Sequence, residues 1–255
     1  MERFDVTTVI LTRHRPELLS RAIGSLEMQI GVSIKLLILV DDCPDTMKFL
    51  ERRKSASGSV GSIRFINIPR KATDFTSPER VAKLRNIGLQ LVRTKWCNFL
   101  DDDNIFEPDH MLTLASTASE SGANVVHSWR TIWNSNGRAY LIEDKHPWVR
   151  NPQLSRRLFK LYYNAGIYTK GSNIIKDQVV PFRRSLSMVD TSEWLFETKF
   201  IRKIGFNTNY SAKDKELSWT EDAKLLDAIV LTGILVPSTR KPTLRYFLGG
   251  YSNSA

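Results

Sequence analysis

Short apolar runs alternate with helical segments through the first 100 residues, and this alternation constrains the fold more than any other feature. The apolar runs cover residues 6–11, 34–40, 63–68 and 96–100. The segments with apolar residues at helical spacing cover residues 16–28, 46–54 and 78–92. Strands and helices that alternate in this way form a mostly parallel sheet with crossover helices. We therefore predict an α/β fold with a Rossmann-like, mostly parallel central sheet flanked by helices.

The pattern becomes irregular after about residue 122. Strand-like runs at 124–133 and 138–142 are joined by a polar turn at 134–137, and longer loops are expected at 144–152 and 207–217. The chain is thus predicted to be one compact domain with two halves, 1–122 and 123–255, the second of which contains a smaller mixed region.

Polar side chains follow three of the predicted strands. Residues 12–15 follow the first strand, Asp41 and Asp42 follow the second, and Asp101, Asp102 and Asp103 follow the fourth. In open parallel sheets, ligands bind beyond the carboxyl ends of the strands. We expect these three segments to meet at one edge of the sheet and to form the ligand site.

Asp101, Asp102 and Asp103, here called the acidic cluster, place three carboxylates in a row after a buried strand. A divalent cation with hard oxygen ligands relieves their repulsion and can bridge two phosphate oxygens. The alternative is a solvated turn in which Asp103 caps the following segment. The spacing alone leaves both interpretations open.

The composition sets limits on partners and compartment. A chain of 255 residues can bury a core large enough for an enzyme cleft. A net charge of +10 and a pI of about 9.7 suit a nucleic acid, an anionic membrane surface or an anionic small substrate. The basic residues are scattered and form no recognised nucleic-acid module, so nucleic acid is disfavoured. No apolar run reaches the length of a membrane span and no secretory signal is evident. We therefore expect a cytoplasmic protein in which Cys43 and Cys97 are free thiols.

Five motifs, taken in order and spacing, resemble those of family 2 glycosyltransferases with the GT-A fold. They lie at residues 9–16, 39–45, 84–89, 99–109 and 219–223. The resemblance is close over 5–125 and looser over 185–235. It implies an inverting enzyme that moves a sugar from a nucleotide-diphosphate sugar, most simply a UDP- or TDP-sugar, to an acceptor hydroxyl or similar nucleophile. The 1–122 half would bind the donor, and the 123–255 half would bind the acceptor.

The resemblance also implies which side chains bind the nucleobase. Thr12 and His14 would contact the base, with the imidazole where an aromatic ring often stacks. Asp42 would accept a hydrogen bond from a ring N–H that uracil and thymine both present. The structural alternatives are a surface turn for His14 and a helix N-cap for Asp42.

Further along the chain, the resemblance implies the diphosphate and metal contacts. Asp103 would be the direct ligand of Mn²⁺ or Mg²⁺, together with Asp101, while Asp101 or Asp102 lies near the ribose. Arg85 would approach the diphosphate, or it would instead pair with strand-end carboxylates. A histidine that completes the metal site in many relatives has no counterpart at 244–248. The metal would then rely on carboxylate, diphosphate and water.

The acidic pair Glu221 and Asp222 would supply the catalytic base. Ser218 and Glu221 fit a capping box at a helix start, which would occupy Glu221 structurally. Asp222 shares a helical stripe with three apolar residues and should face inward; these are Leu225, Leu226 and Ile229. Asp222 is therefore predicted to be the general base, and the alternative is a second N-terminal acid favoured by the helix dipole.

Two other functions stay open at this point. A nucleotidyltransferase would need a glycine-rich phosphate loop after the first strand, and residues 12–17 contain no glycine. A non-catalytic protein on the same fold would bind a nucleotide sugar without turnover. The Gln-x-x-Arg-Trp pattern of processive synthases is absent, so an enzyme should add one sugar per acceptor. An anionic acceptor would explain part of the positive charge, with candidate contacts at Arg156, Arg157, Arg183 and Arg184.

Overall fold

The computed structural model describes residues 4–56, 62–71, 74, 77–216 and 219–250. Its strands are β1 (Phe4–Thr12), β2 (Val32–Asp41), β3 (Ile63–Ile68), β4 (Trp96–Asp101), β5 (Ile105–Phe106), β6 (Val125–Trp133), β7 (Ile174–Ile175), β8 (Trp194–Glu197) and β9 (Ser238–Phe247). Its helices are α1 (Pro16–Glu27), α2 (Pro44–Ala56), α3 (Pro78–Leu91), α4 (His110–Ser121), α5 (Pro152–Asn164), α6 (Thr198–Ile204), α7 (Ala212–Glu216) and α8 (Glu221–Leu231).

These strands form one mixed sheet in the order β3-β2-β1-β4-β8-β6-β9-β5, with β7 paired to β6. The first four strands in this order are parallel, which is the geometry that crossover helices require. Strand β8 runs antiparallel between β4 and β6. The sheet therefore continues from the first half of the chain into the second without a break between them.

The apolar residues of the strands divide between the two faces of the sheet. Ile10 belongs to a core cluster with Leu19 and Ile23 of α1, whereas Val9 belongs to a second cluster with Phe99 and Leu226 of α8. Successive strand residues point to opposite faces, so the continuous apolar runs of β1, β2 and β4 bury both sides. This burial holds the carboxyl ends of the three strands level with one another.

Helix α3 packs close to β1 because Gly88 has no side chain. A Cβ at Gly88 would lie 2.8 Å from Cγ1 of Val9 and 3.3 Å from Cδ1 of Leu39. Ser77 caps the helix by accepting a hydrogen bond from the backbone N–H of Arg80, and Pro78 occupies the first turn. The close approach places Arg85 beside the carboxyl end of β4.

The predicted α/β fold and the elements of the first 100 residues are confirmed, as is the strand now seen as β6. The prediction of a strand at 138–142 is wrong. That segment makes only isolated bridges, Trp133 with Ala139 and Ile142 with Ser172, because β9 occupies one edge of β6, whereas β7, together with Asn173, occupies the other edge as far as Ile132. The loop expected at 207–217 contains the short helix α7.

Among the described residues, none of the helices has the length and apolar character needed to cross a bilayer.

Candidate active site

The turns after β1 and β2 contact each other at the carboxyl edge of the sheet. His14 and Asp42 both have positive φ angles, 54° and 50°, in regions where non-glycine residues are uncommon. Nδ1 of His14 lies 3.2 Å from Sγ of Cys43. The carboxylate of Asp42 accepts a hydrogen bond of 3.2 Å from the backbone N–H of Arg70. Asp42 therefore stabilises the chain after β3. Helix α2 begins at Pro44, two residues after Asp42.

The acidic cluster lies beside the turn after β1. Nη1 of Arg15 donates to Oδ1 of Asp102 at 3.2 Å and to Oδ2 of Asp103 at 2.9 Å. Nη2 of Arg85 donates to Oδ1 of Asp101 at 2.9 Å. Each carboxylate thus has an arginine partner, which reduces the repulsion within the cluster.

Burial raises the pKa of two carboxyls of this cluster, Asp102 and Asp103. It raises the pKa of Asp102 to about 6, although the Arg15 guanidinium and the Thr12 hydroxyl oppose the shift. Burial, with the charges of Asp101 and Asp102, raises the pKa of Asp103 to about 7 against the influence of Arg15. A second positive charge placed beside Asp103 would favour its ionised form.

Helix α8 brings Glu221 to the same place. Nη2 of Arg85 donates to Oε1 of Glu221 at 3.1 Å, so one guanidinium links β4 to the start of α8. Ser218, the first residue of the proposed capping box, lies outside the described residues. The helix begins at Glu221 with Thr220 as its N-cap, so Glu221 is at the first helical position and its carboxylate is held by Arg85.

Asp222 lies on the next helical position and is half-buried. Its Oδ1 accepts hydrogen bonds from the hydroxyl of Thr220 and, at 2.8 Å, from the backbone N–H of Ala223. Asp222 also lies close enough to Asp190 for its charge to raise the pKa of that carboxyl, after the larger effect of burial. The acidic pair thus faces the acidic cluster from across the edge of the sheet.

The stability of the folded chain should depend on pH through Glu221. Burial raises its pKa from 4.5 to about 7, although Arg85 opposes the shift. Between these values the unfolded chain loses a proton that the folded chain keeps, so the free energy of unfolding falls as pH rises from about 4.5 to 7. The shift corresponds to about 3 kcal/mol. Urea unfolding at several pH values should show a flatter dependence for Glu221→Gln; an unchanged slope would contradict the assignment.

Several predicted site residues are thus brought together, and the contacts refine two of them. Arg85 is 3% exposed and pairs with Asp101 and Glu221, which is the alternative role considered from the sequence; its contact with a diphosphate stays a prediction. Four basic residues are candidate contacts for an anionic acceptor. Arg184 pairs with Asp227, whereas Arg156, Arg157 and Arg183 are exposed.

The sequence left Arg15 without a role, although it pairs with two carboxylates of the cluster. The signal was present, because the parallel register of β1 and β4 pairs Leu11 with Asp101 and places both following turns side by side. Behind the site, Arg130 pairs with three carboxylates, forming what we call the buried arginine cluster with Asp177, Asp190 and Glu193. Asp190 and Glu193 belong to one capping box, but no local sequence pattern links them to Arg130 or Asp177.

The acidic cluster has a donor set suited to a hard cation. Across the described residues, no group of three or more histidine, cysteine or carboxylate side chains is arranged to hold a metal. Arg85 donates to one carboxylate oxygen of Asp101, and Arg15 donates to one carboxylate oxygen of Asp103. Each carboxylate has a second oxygen that is not part of these two hydrogen bonds. Mn²⁺ and Mg²⁺ commonly take one or two protein carboxylates and complete their shell with phosphate oxygens and water. The residues therefore fit a cation shared with a diphosphate ligand.

Sequence comparison decides the family. The family described as Glycosyl transferase family 2 matches residues 7–181, which is more than half of the chain and includes the acidic cluster. The chain belongs to glycosyltransferase family 2. A curated relative, the succinoglycan biosynthesis protein ExoO of Rhizobium meliloti, is 26% identical over 170 residues, which cover 64% of this chain and 45% of the relative.

Comparison with solved structures supports the same fold. TarS of S. aureus in complex with UDP-GlcNAc matches with a TM-score of 0.59 and 14% identity, over 99% of this chain and 61% of that one. The mannosyltransferase PcManGT of Pyrobaculum calidifontis, in complex with GDP-Man and Mn²⁺, matches with a TM-score of 0.63 and 10% identity, over 99% and 59%. The chain thus has the GT-A fold, and it spans less than two thirds of each of these relatives.

Proposed function

We propose that this family 2 glycosyltransferase transfers one sugar from a nucleotide-diphosphate sugar, of the UDP or TDP type, to an acceptor hydroxyl or similar nucleophile with inversion. The observation that carries the proposal is the meeting of the turn after β1, the turn after β2, the acidic cluster and the start of α8 at one edge of the sheet. The side chains that we propose for binding the nucleobase, for binding the diphosphate and for accepting the proton all lie along this edge.

The nucleobase is proposed to lie over the turns after β1 and β2. Thr12 and His14 would contact the base, and Asp42 would accept a hydrogen bond from its ring N–H. The backbone strain at His14 and Asp42 supports this, since residues held at positive φ cluster at ligand sites. A uracil or thymine ring has an N–H that can donate this hydrogen bond to Asp42.

The diphosphate is proposed to lie beside the acidic cluster and Arg15. Asp103 and Asp101 would hold Mn²⁺ or Mg²⁺, and Asp102 or Asp101 would approach the ribose. A bound cation would stabilise the negative charge that develops on the leaving diphosphate. Arg15 and Arg85 meanwhile fix the orientation of the carboxylates in the absence of a ligand.

Asp222 is proposed to remove the acceptor proton, with Glu221 as the residue that fixes the start of α8 through Arg85. The acceptor oxygen would attack the anomeric carbon in line with the departing diphosphate, which inverts that carbon. Residues 123–255 would form most of the acceptor pocket, and residues 1–122 most of the donor pocket. Strands of both halves belong to one sheet, which supports this division of roles.

Replacing Asp103 by alanine should remove the dependence of nucleotide binding on a divalent cation. A methyl group cannot coordinate a cation or orient its waters. Calorimetric titration of UDP with and without Mn²⁺ should show a cation-dependent gain in affinity in the wild type only. Asp45→Ala is the matched control, because the Asp45 side chain is 88% exposed on α2. A variant at Asp103 that keeps the full Mn²⁺ effect would contradict the assignment.

The function itself is tested by the products. With UDP- or TDP-sugars, we expect slow release of free sugar and nucleoside diphosphate, followed by faster turnover when a suitable acceptor is supplied. A nucleotidyltransferase would instead convert the nucleotide sugar and pyrophosphate to a nucleoside triphosphate and a sugar 1-phosphate. A non-catalytic protein would bind the donor and form no product. Either of those outcomes would contradict the proposal.

A further inference from the structure

Three large apolar side chains are exposed together at the far end of α8. Phe182, Leu231 and Leu235, here called the apolar patch, are 72%, 71% and 83% exposed. The ring of Phe182 lies on the backbone of Gly233, where a Cβ would come within 2.2 Å of its Cζ atom. Gly233 lies between Leu231 and Leu235 in the chain, so all three side chains are exposed around the turn that follows α8.

The chain holds this apolar patch in a defined position. The backbone N–H of Phe182 donates to the carbonyl oxygen of Val230 at 3.1 Å. Ile234 and Val236 pack against the core on either side of Leu235, which leaves the leucine directed outward. The side chains are therefore displayed by an anchored loop.

Backbone strain marks the same face. In the described parts of the chain, four non-glycine residues have a positive φ: His14, Asp42, Phe182 and Arg240. The first two lie at the proposed donor site. Residues held in such conformations cluster at functional sites, because the fold must offset their cost. Phe182 and Arg240, with φ angles of 57° and 54°, indicate a second functional surface.

A polar cavity of about 510 Å³ opens beside the apolar patch. Val179 and Val236 line it, and they lie three residues and one residue from Phe182 and Leu235. Lys176 and Arg240 line it as well and are exposed. Further polar and aromatic lining comes from Trp129, Gln178 and Ser238.

The cavity carries a net positive charge. The carboxyl of Asp177, which also lines it, is directed to Arg130 in the buried arginine cluster, and burial raises its pKa to about 7. Burial lowers the pKa of His127 to about 4, so this lining residue is neutral at pH 7. Lys176 and Arg240 then present cationic groups to an anionic ligand.

We propose that this face binds the surface of an anionic phospholipid bilayer. The apolar patch would enter the interfacial region of the membrane, while Lys176 and Arg240 bind a lipid headgroup phosphate in the adjoining cavity. Exposed apolar side chains flanked by basic groups are the combination that binds peripheral proteins to anionic membranes. The net charge of +10, which the donor site does not account for, favours such a surface over a neutral partner.

The position of the face relates it to the reaction. Helix α8 begins at Glu221 in the active site and ends at Leu231 in the apolar patch, a distance of roughly 15 Å along a helix. If the proposed function holds, an acceptor carried by the membrane could reach the acidic pair from that side. The membrane contact itself requires neither donor nor turnover, so it can be tested separately.

The test is sedimentation of the purified full chain with vesicles, in the absence of nucleotide. We expect binding to vesicles of mixed phosphatidylglycerol and phosphatidylcholine and at least tenfold weaker binding to phosphatidylcholine alone. The triple variant Phe182→Ser, Leu231→Ser, Leu235→Ser should lose at least about tenfold in partition. The matched control, Leu141→Ser with Leu154→Ser, removes exposed leucines elsewhere and should partition as the wild type does.

The cationic contribution is tested in the same assay. Lys176→Ser with Arg240→Ser should weaken partition by about fivefold for each side chain. The matched control is Lys35→Ser with Arg64→Ser, which removes two exposed basic residues from β2 and β3. An equal loss in the control would show binding by net charge alone and would overturn the proposal. So would wild-type chain that fails to bind, or a triple variant that binds fully.

Light scattering distinguishes the remaining occupant. A dimer of the wild type that becomes monomeric in the triple variant would assign the apolar patch to a second copy of the chain and overturn the membrane proposal. We expect the wild type to be monomeric by light scattering and the variants to be folded by circular dichroism. The vesicle results then report binding to lipid.

Discussion

Asp222→Asn is expected to lower the rate of sugar transfer by about 10²–10⁴ while donor affinity changes little. The amide keeps the shape of the side chain and can still accept the hydrogen bonds from Thr220 and Ala223. It cannot take the proton of the acceptor. The rate of transfer at saturating donor and acceptor, measured beside the dissociation constant of the donor, checks this prediction.

Glu221→Gln is the matched control for that variant, because it removes a neighbouring carboxylate held by Arg85. We expect its stability to change more than its turnover, which should stay within about tenfold of the wild type. Near wild-type transfer by the Asp222 variant would contradict the assignment. So would a Glu221 variant that is folded and binds donor but has no activity.

Arg85→Met is expected to destabilise the fold by about 3–5 kcal/mol near pH 8. It leaves the Asp101 and Glu221 carboxylates without their shared partner, and it removes a cation that lies over the rings of Phe99 and Phe206 at 5.4 and 5.6 Å. Protonation of Glu221 relieves part of this cost, so the loss should be smaller at pH 5. Urea unfolding at both pH values measures it.

Arg93→Met provides the comparison, since Arg93 lies on the surface just beyond α3. It should change the free energy of unfolding by less than about 1 kcal/mol. A similarly small effect for Arg85→Met at pH 8 would mean that the ion pairs of Arg85 contribute little to the fold. The link from β4 to α8 would then have to rest on apolar packing alone.

The parallel half of the fold could be predicted because β1, β2 and β4 are buried on both faces, so their apolar runs are continuous. The same regularity predicts where the acidic cluster lies, since β1 and β4 end at the same level. Strand β9 was harder to recognise, because Pro242 and the exposed Arg240 and Lys241 interrupt its apolar character. Its pairing with β6 is correspondingly irregular near Trp129.

The charged contacts of the site depend on tertiary structure. Arg15 meets Asp102 and Asp103 across about ninety residues of chain, and the rotamer of an arginine has no local sequence signal. The buried arginine cluster likewise brings carboxylates from two segments of the second half, Asp177 and the capping box of Asp190 and Glu193, to a single residue of β6. The start of helix α5, in contrast, has a local sequence signal, because Asn151 is its N-cap and Pro152 follows.

The most direct test of the central claim is a thermal-shift titration with UDP-, TDP- and GDP-sugars, each with and without Mn²⁺. If the carboxyl edge of the sheet binds a nucleotide-diphosphate sugar, a UDP- or TDP-sugar should raise the melting temperature by a few degrees at concentrations well above its dissociation constant. The increase should be larger with Mn²⁺ and should be lost in Asp103→Ala. No stabilisation by any of these donors, or equal stabilisation of the wild type and Asp103→Ala, would contradict the account.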